Sequence, residues 1–258
     1  QAGHYFYKQI SLKDGLPSTV RCILTDEQGF VWIGTRSGLG RYDGHELKKY
    51  IHQTNHPTSS LPHNIINQII EDKLNNIWVL TDKGVACYQR QSDNFFIPTD
   101  EKGNNIWANS TCLVKDGILF GSQNKFYFYS YQDSSLRLLQ SLNQESNFNI
   151  TLMSLWNDHT LLCCSRWQGL LLLDLNTGKY SLPPFDCGKE IMNMLIDSQN
   201  RIWIAPYNGG VSCFAHDGTR LASYTTQNSD LNNNVVLSLA EREGKIWIGT
   251  DGGGINIL

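Results

Sequence analysis

Thr25-Asp-Glu-Gln-Gly-Phe-Val-Trp-Ile-Gly-Thr35 is the stretch whose reading decides the fold. Asp26 to Gly29 reads as a tight turn, because Asp bonds its own backbone and Gly accepts positive φ. An apolar strand follows and stops at a small-residue corner. The run returns as Asp72-Lys-Leu-Asn-Asn-Ile-Trp-Val-Leu80, Asp197-Ser-Gln-Asn-Arg-Ile-Trp-Ile-Ala205 and Glu241-Arg-Glu-Gly-Lys-Ile-Trp-Ile-Gly249. Two weaker copies lie between, Lys115-Asp-Gly-Ile-Leu-Phe-Gly-Ser122 and Asn157-Asp-His-Thr-Leu-Leu-Cys-Cys-Ser165. Aligned on the tryptophan, the copies centre on Trp32, Trp78, Leu119, Leu162, Trp203 and Trp247, 41 to 46 residues apart. That period is the one expected of four-stranded propeller blades.

The first copy shows the four strands: Val20 to Leu24 (a), Phe30 to Gly34 (b), Leu39 to Tyr42 (c) and Leu47 to Ile51 (d). Glycines mark the b–c corner at Gly38, Gly84, Gly169, Gly210 and Gly252 to Gly254, where the chain must reverse sharply. Because the tryptophan recurs, its expected role is packing between blades. Tyr5 to Ile10, followed by Gly15-Leu-Pro17, reads as a strand d with no preceding strand, and Gly254 to Leu258 reads as a strand c. The expected fold class is therefore an all-β propeller of six four-stranded repeats. It is closed by pairing the N-terminal strand with the last blade, which removes exposed sheet edges. Residues 1–258 would form one propeller domain, or the N-terminal part of a larger propeller.

A net charge of -3 gives no electrostatic case for nucleic acid or an anionic membrane. No apolar run approaches the roughly 20 residues of a membrane span. Gln1-Ala2-Gly3 does not read as a signal peptide, so the chain suits the cytosol or a mature exported segment. The seven cysteines, odd in number and scattered, fit buried small hydrophobes better than a disulfide framework. The adjacent Cys163 and Cys164 are the one pair placed for redox chemistry. None of the seven histidines sits in a HExxH motif and no GxSxG is present. No metal and no cofactor is expected.

The run from Leu16 to Asp43 combines a Leu-Pro opening, the acidic turn, the tryptophan strand and the glycine corner, and Leu231 to Leu258 follows the same order. These runs closely resemble the two-component regulator propeller repeat. The copies on Trp78 and Trp203 fit less fully, and those on Leu119 and Leu162 lack the tryptophan. The resemblance implies a non-catalytic, periplasmic, ligand-sensing region of a hybrid two-component sensor kinase, as in gut Bacteroidetes. Many such systems respond to oligosaccharides. There, propellers precede a β-sandwich, a membrane helix, and kinase, receiver and DNA-binding parts. An oligosaccharide ligand and a homodimer formed through the full-length sensor are the expected partners. The alternatives are a protein-interaction scaffold and, less well supported, a glycan-active hydrolase or lyase.

In a propeller the b–c corners and the d–a connections emerge on one face. Residues there that break the repeat are the candidates for ligand contact: Arg36, His63, Trp107, Arg166, Trp167, Tyr207 and Asn208. Arg166-Trp167 and Tyr207-Asn208 belong to neighbouring copies. A flat aromatic face beside planar hydrogen-bonding groups suits a sugar ring, and the arginine suits a uronate or sulfate.

Overall fold

Each repeat folds as an antiparallel sheet whose strands follow one another in chain order. The structure, a computed structural model, describes residues 15, 18–142 and 148–258. The first sheet holds β1 (Val20–Thr25), β2 (Val31–Thr35), β3 (Leu39–Tyr42) and β4 (Leu47–Tyr50). The second holds β5 (Ile66–Glu71), β6 (Ile77–Thr81), β7 (Gly84–Gln89) and β8 (Asn94–Phe96). The third holds β9 (Ser110–Val114), β10 (Gly117–Ser122), β11 (Lys125–Ser130) and β12 (Leu136–Ser141). The fourth holds β13 (Leu152–Asn157), β14 (Thr160–Ser165), β15 (Gly169–Asp174) and β16 (Tyr180–Ser181). The fifth holds β17 (Ile191–Ile196), β18 (Ile202–Pro206), β19 (Val211–Phe214) and β20 (Arg220–Tyr224). The sixth holds β21 (Val236–Arg242), β22 (Lys245–Thr250) and β23 (Gly254–Ile257).

The all-β propeller class read from the repeats is what the structure shows, including the two copies without tryptophan. The last blade has three strands among the described residues. The closing strand expected at Tyr5 to Ile10 lies outside the described residues.

The chain divides into two compact units, residues 1–108 with 133–136, and residues 109–132 with 137–258. In the first, β1 lies beside β5. In the second, β9, β13, β17 and β21 lie side by side in succession. One packing rule serves both. The second strand of a sheet turns its central large residue onto the next sheet. Trp32 packs on Ile66, Ile69, Ile77 and Val79. Leu119 packs on Met153 and Leu161. Leu162 packs on Ile191, Met194 and Ile202. Trp203 packs on Val236, Ile246 and Ile248. Cys163 and Cys164 alternate along β14 and so enter two different cores. Burial pushes the Cys164 thiol up to about 12 and the Cys163 thiol well above its ordinary value, and all seven cysteines are free. This bears out the packing reading of the pair.

The a–b turns come in two lengths. At Asp26, Asp72 and Asp197 the carboxylate folds a five-residue loop. One oxygen accepts the N–H groups two and four residues on, at 2.8 to 3.1 Å. The other oxygen accepts the indole N–H six residues on, at 2.9, 2.8 and 2.8 Å from Trp32, Trp78 and Trp203. The fourth loop residue takes positive φ in each: Gly29 at 86°, Asn75 at 62° and Asn200 at 58°. The third, fourth and sixth sheets instead use two-residue turns, since Val114 pairs with Gly117, Asn157 with Thr160 and Arg242 with Lys245. In the third and fourth the tryptophan is replaced by leucine, which has no N–H to satisfy. The sixth keeps its tryptophan but lacks the acidic loop. Glu241 is therefore not the counterpart of Asp197, as the sequence alignment suggests. It lies within the first strand, one residue before its end at Arg242, and Glu71 is the last residue of its own first strand. Glu241 accepts the Ser198 N–H at 2.7 Å, just as Glu71 accepts the Glu27 N–H at 2.9 Å.

Candidate functional site

Corners and connections meet on one face within each unit, and backbone hydrogen bonds show it directly. In the first unit the Gly38 N–H donates to Asn64 O at 2.8 Å. In the second the Gly210 N–H donates to Asn234 O at 2.9 Å. Threonine at the end of the second strand closes three of these corners, at Thr35, Thr81 and Thr250. The Thr35 hydroxyl donates to Gly38 O and the Thr81 hydroxyl to Gly84 O, both at 2.8 Å. In the fifth sheet Pro206 stands at this position and has no hydroxyl. Positive φ at Asn208 and Gly210 turns the chain there instead, and the Gly209 N–H donates to Pro206 O at 3.2 Å. These short turns leave the tip residues pointing into solvent.

Two tips are drawn together. Ile191 donates its N–H to Arg166 O at 3.1 Å, and Tyr207 donates its N–H to Glu190 O at 2.7 Å. One dipeptide, Glu190-Ile191, thus ties the corner of the fourth sheet to the corner of the fifth. Trp167 is 62% exposed and Tyr207 56%, large apolar rings held in water. The Arg166 guanidinium lies 5.4 Å from the Trp167 ring centre, and its Nη2 is 3.3 Å from Met192 Sδ. Among the described residues Arg166 forms no ion pair. Asn208 is exposed beside Tyr207.

The other expected residues sit in the first unit. Arg36 is the exposed tip of the β2–β3 corner. His63 is half-buried in the connection that meets this corner, and its Nδ1 is 3.2 Å from the Ile65 N–H. Asn233 makes the same local turn in the second unit, accepting the Val235 N–H at 2.8 Å. His63 therefore has a folding role that any short acceptor at this position performs. Trp107 is half-buried between Ile106 and Ala108, both buried. It follows a small Asp100 loop built like the a–b turns, with the Lys102 and Asn104 N–H groups on one carboxylate oxygen.

Two features escaped the sequence reading. In the first unit Asp93 accepts from Lys48 and from the hydroxyls of Tyr50 and Tyr88, at 2.6 and 2.7 Å for the two tyrosines, while Arg41 bonds Tyr88. Burial pushes the Asp93 carboxyl up, but the Lys48 and tyrosine hydrogen bonds outweigh it and bring it to about 2. This clamp binds the first sheet to the second, and a cleft of about 410 Å3 opens beside it between Lys49, Gln53, His56 and Ser59. In the second unit a cleft of about 780 Å3 lies on the opposite, a–b turn side, between Trp156, Asp158, Arg201 and His216. Neither has a sequence signal, because each joins residues from separate strands. Among the described residues no group of three or more His, Cys, Asp or Glu is placed to hold a metal.

Residues 14–37, 60–83 and 230–252 match the two component regulator propeller family. The chain thus carries repeats of that kind in its first, second and sixth sheets. It superposes, at 20% identity and a TM-score of 0.77, on the extracellular domain assigned to a hybrid two component system, BT3049, of B. thetaiotaomicron. That match covers 97% of this chain and 35% of the other. The extracellular domain of BT4673 from B. thetaiotaomicron, described as a one component system, matches at 19% identity and a TM-score of 0.73, over 93% of this chain and 34% of that one. PorZ, a surface component of the type-IX secretion system of Porphyromonas gingivalis, matches at 16% identity and a TM-score of 0.66, over 90% of this chain and 37% of that one. The chain therefore spans about a third of the length of each, and at such identities the likeness shows the fold. No curated protein matches the chain.

Proposed function

We propose that this chain is a non-catalytic, extracytoplasmic ligand-sensing propeller segment of a hybrid two-component sensor, and that its ligand is an oligosaccharide. The observation that carries the site is the pairing of the Arg166-Trp167 and Tyr207-Asn208 corners through Glu190-Ile191. Two exposed aromatic rings next to an uncompensated guanidinium and an amide offer an apolar face and planar hydrogen bonding together, which is what a sugar ring presents in return. Arg36 sits on the equivalent corner of the first sheet and is a secondary contact. His63 and Trp107, half-buried as they are, contribute less. The family match supports the sensor class, and the rest of a longer protein, acting as a homodimer, would relay occupancy to transcription.

Calorimetric titration with neutral, uronate-bearing and sulfated oligosaccharides tests the reading. The expected outcome is binding by at least one class, with Trp167→Ala and Tyr207→Ala each weakening it about 10-fold, about 1.4 kcal/mol. Arg166→Gln is expected to weaken the acidic sugars selectively. Binding that ignores all three substitutions removes the site from these corners. Hydrolysis or elimination products in the same mixtures would overturn the non-catalytic reading.

A further inference from the structure

On the a–b turn side, the groove between the first and second sheets is bridged by a side chain, and the groove between the fourth and fifth is not. Strand pairing aligns the two. Ile77 pairs with Tyr88 and Ile202 with Phe214, so His216 stands where Arg90 stands, two residues past each partner. Arg90 reaches over the groove to the turn of the first sheet. It donates to Asp26 Oδ2 at 3.0 Å and to Gln28 Oε1 at 2.9 Å, and within its own sheet to Asn75 O at 3.3 Å. The fourth sheet offers His216 no such acidic loop, because Asn157 pairs with Thr160 across a two-residue turn. A cleft of about 780 Å3 is left between the two sheets.

Three features of its walls point to a ligand. The first is a β-bulge. The ladder between β13 and β14 shifts by one residue between Leu155 and Asn157, and Trp156 is the extra residue. A bulge re-aims the side chain it carries, and the Trp156 ring lies 4.1 Å from the His216 ring, centre to centre. The second is His216 Nε2, which is buried with no hydrogen-bond partner among the described residues. That is a costly state for a polar atom. The third is charge. Asp158, exposed at the two-residue turn, forms no ion pair among the described residues. From the fifth sheet, Arg201 commits only its Nε, to Asp197 at 2.6 Å, and its Nη1 and Nη2 carry no hydrogen bond among the described residues. One carboxylate and one guanidinium edge thus line the same cleft without pairing with each other. Leu221, 51% exposed, adds apolar surface.

We infer that this cleft binds a small zwitterion of the free α-amino acid class. The ammonium of the ligand pairs with Asp158, and its carboxylate takes the free edge of Arg201 in the planar geometry that suits guanidinium. Its side chain lies against Trp156 and Leu221, an apolar wall with a few placed polar groups. The ligand then spans the groove as the Arg90 side chain does between the first two sheets, and brings a polar group to His216. A simple amine or a simple anion meets only one of the two charges. The site lies away from the Arg166 and Tyr207 corners and is independent of the saccharide reading.

Calorimetric titration of the 258-residue chain with each of the common free α-amino acids tests this. For the tightest binder, the N-acetyl derivative removes the ammonium and the methyl ester removes the carboxylate. At least one amino acid is expected to bind, and each derivative to bind at least about 10-fold more weakly. Asp158→Asn is expected to weaken the parent amino acid by about 10-fold and to leave the N-acetyl derivative unchanged. His216→Arg places a guanidinium where Arg90 has one and is expected to abolish binding without lowering the melting temperature. Absence of binding by every amino acid would overturn the inference. So would binding that survives loss of either charged end, or that ignores Asp158→Asn. Binding lost with Trp167→Ala instead would place the amino acid at the corners and overturn the assignment to this cleft.

Discussion

Asp197 shows how much one side chain organises. Its two oxygens satisfy the Gln199 and Arg201 N–H groups and the Trp203 indole, and Arg201 Nε adds a bond at 2.6 Å. Removing the carboxylate leaves the buried indole N–H without an acceptor. Asp197→Ala is expected to cost about 2 kcal/mol in urea unfolding. The third and fourth sheets place leucine where the tryptophan stands and do without the aspartate loop. Trp203→Leu is therefore expected to cost much less in the Asp197→Ala background than in the native chain. A double-mutant cycle measures the difference, and additive losses would refute this account. Asp26 works the same way and also accepts from Arg90 of the second sheet at 3.0 Å.

At the scale of the element, the a–b loop depends on one backbone conformation more than on one residue. Gly29, Asn75 and Asn200 share the fourth position with φ of 86°, 62° and 58°. Asparagine tolerates left-handed backbone, whereas a β-branched residue does not. Gly29→Asn is expected to change stability by less than about 0.5 kcal/mol, while Gly29→Val costs more than about 1 kcal/mol. Thermal unfolding of the two variants checks this. An added Cβ at Gly29 meets nothing within 4 Å, so any loss measures the backbone and not a clash. The corner glycine Gly38 differs, because its φ of 127° is combined with a Cβ site 2.7 Å from Tyr50 O. Both glycines read alike in the sequence, and only packing separates them.

Across the whole molecule, carboxylates that hold turns and sheet pairs make stability depend on pH. Asp26, Asp197 and Asp93 all sit below the ordinary range. In each, burial raises the carboxyl pKa, but hydrogen bonds from Trp32, Phe30 and Arg90, from Trp203 and Arg201, and from Lys48, Tyr50 and Tyr88 prevail. A depressed folded pKa gives stability that is complete above the unfolded value, about 4, and is lost as pH falls through the folded value. The Asp93 contribution therefore disappears between about pH 4 and about 2. Asp93→Asn is expected to be less stable than the native chain at pH 7 and to approach it at pH 2. A constant gap in unfolding midpoint across that window would show that the clamp is not ionic.

The period of 41 to 46 residues, the acidic turns and the glycine corners were enough to determine the blades, because each strand needs only local turn chemistry and alternation to form. Even Leu119 and Leu162 lie where the spacing put them, on the second strands of their sheets. The candidate corners were legible for the same reason, since a tip residue is defined by the turn that carries it. What tertiary structure decided was every relation across sheets. It tied Arg166 to Tyr207 through Glu190-Ile191 and gave His63 a local turn to hold. It also built the Asp93 clamp from three separate strands and a turn, and moved Glu241 from the turn into the first strand. Such contacts depend on register and on the order of packed faces, which residue spacing along a single strand does not encode. The tryptophan run, alike in four copies, takes its acceptor from its own turn in three of them and has none among the described residues in the last.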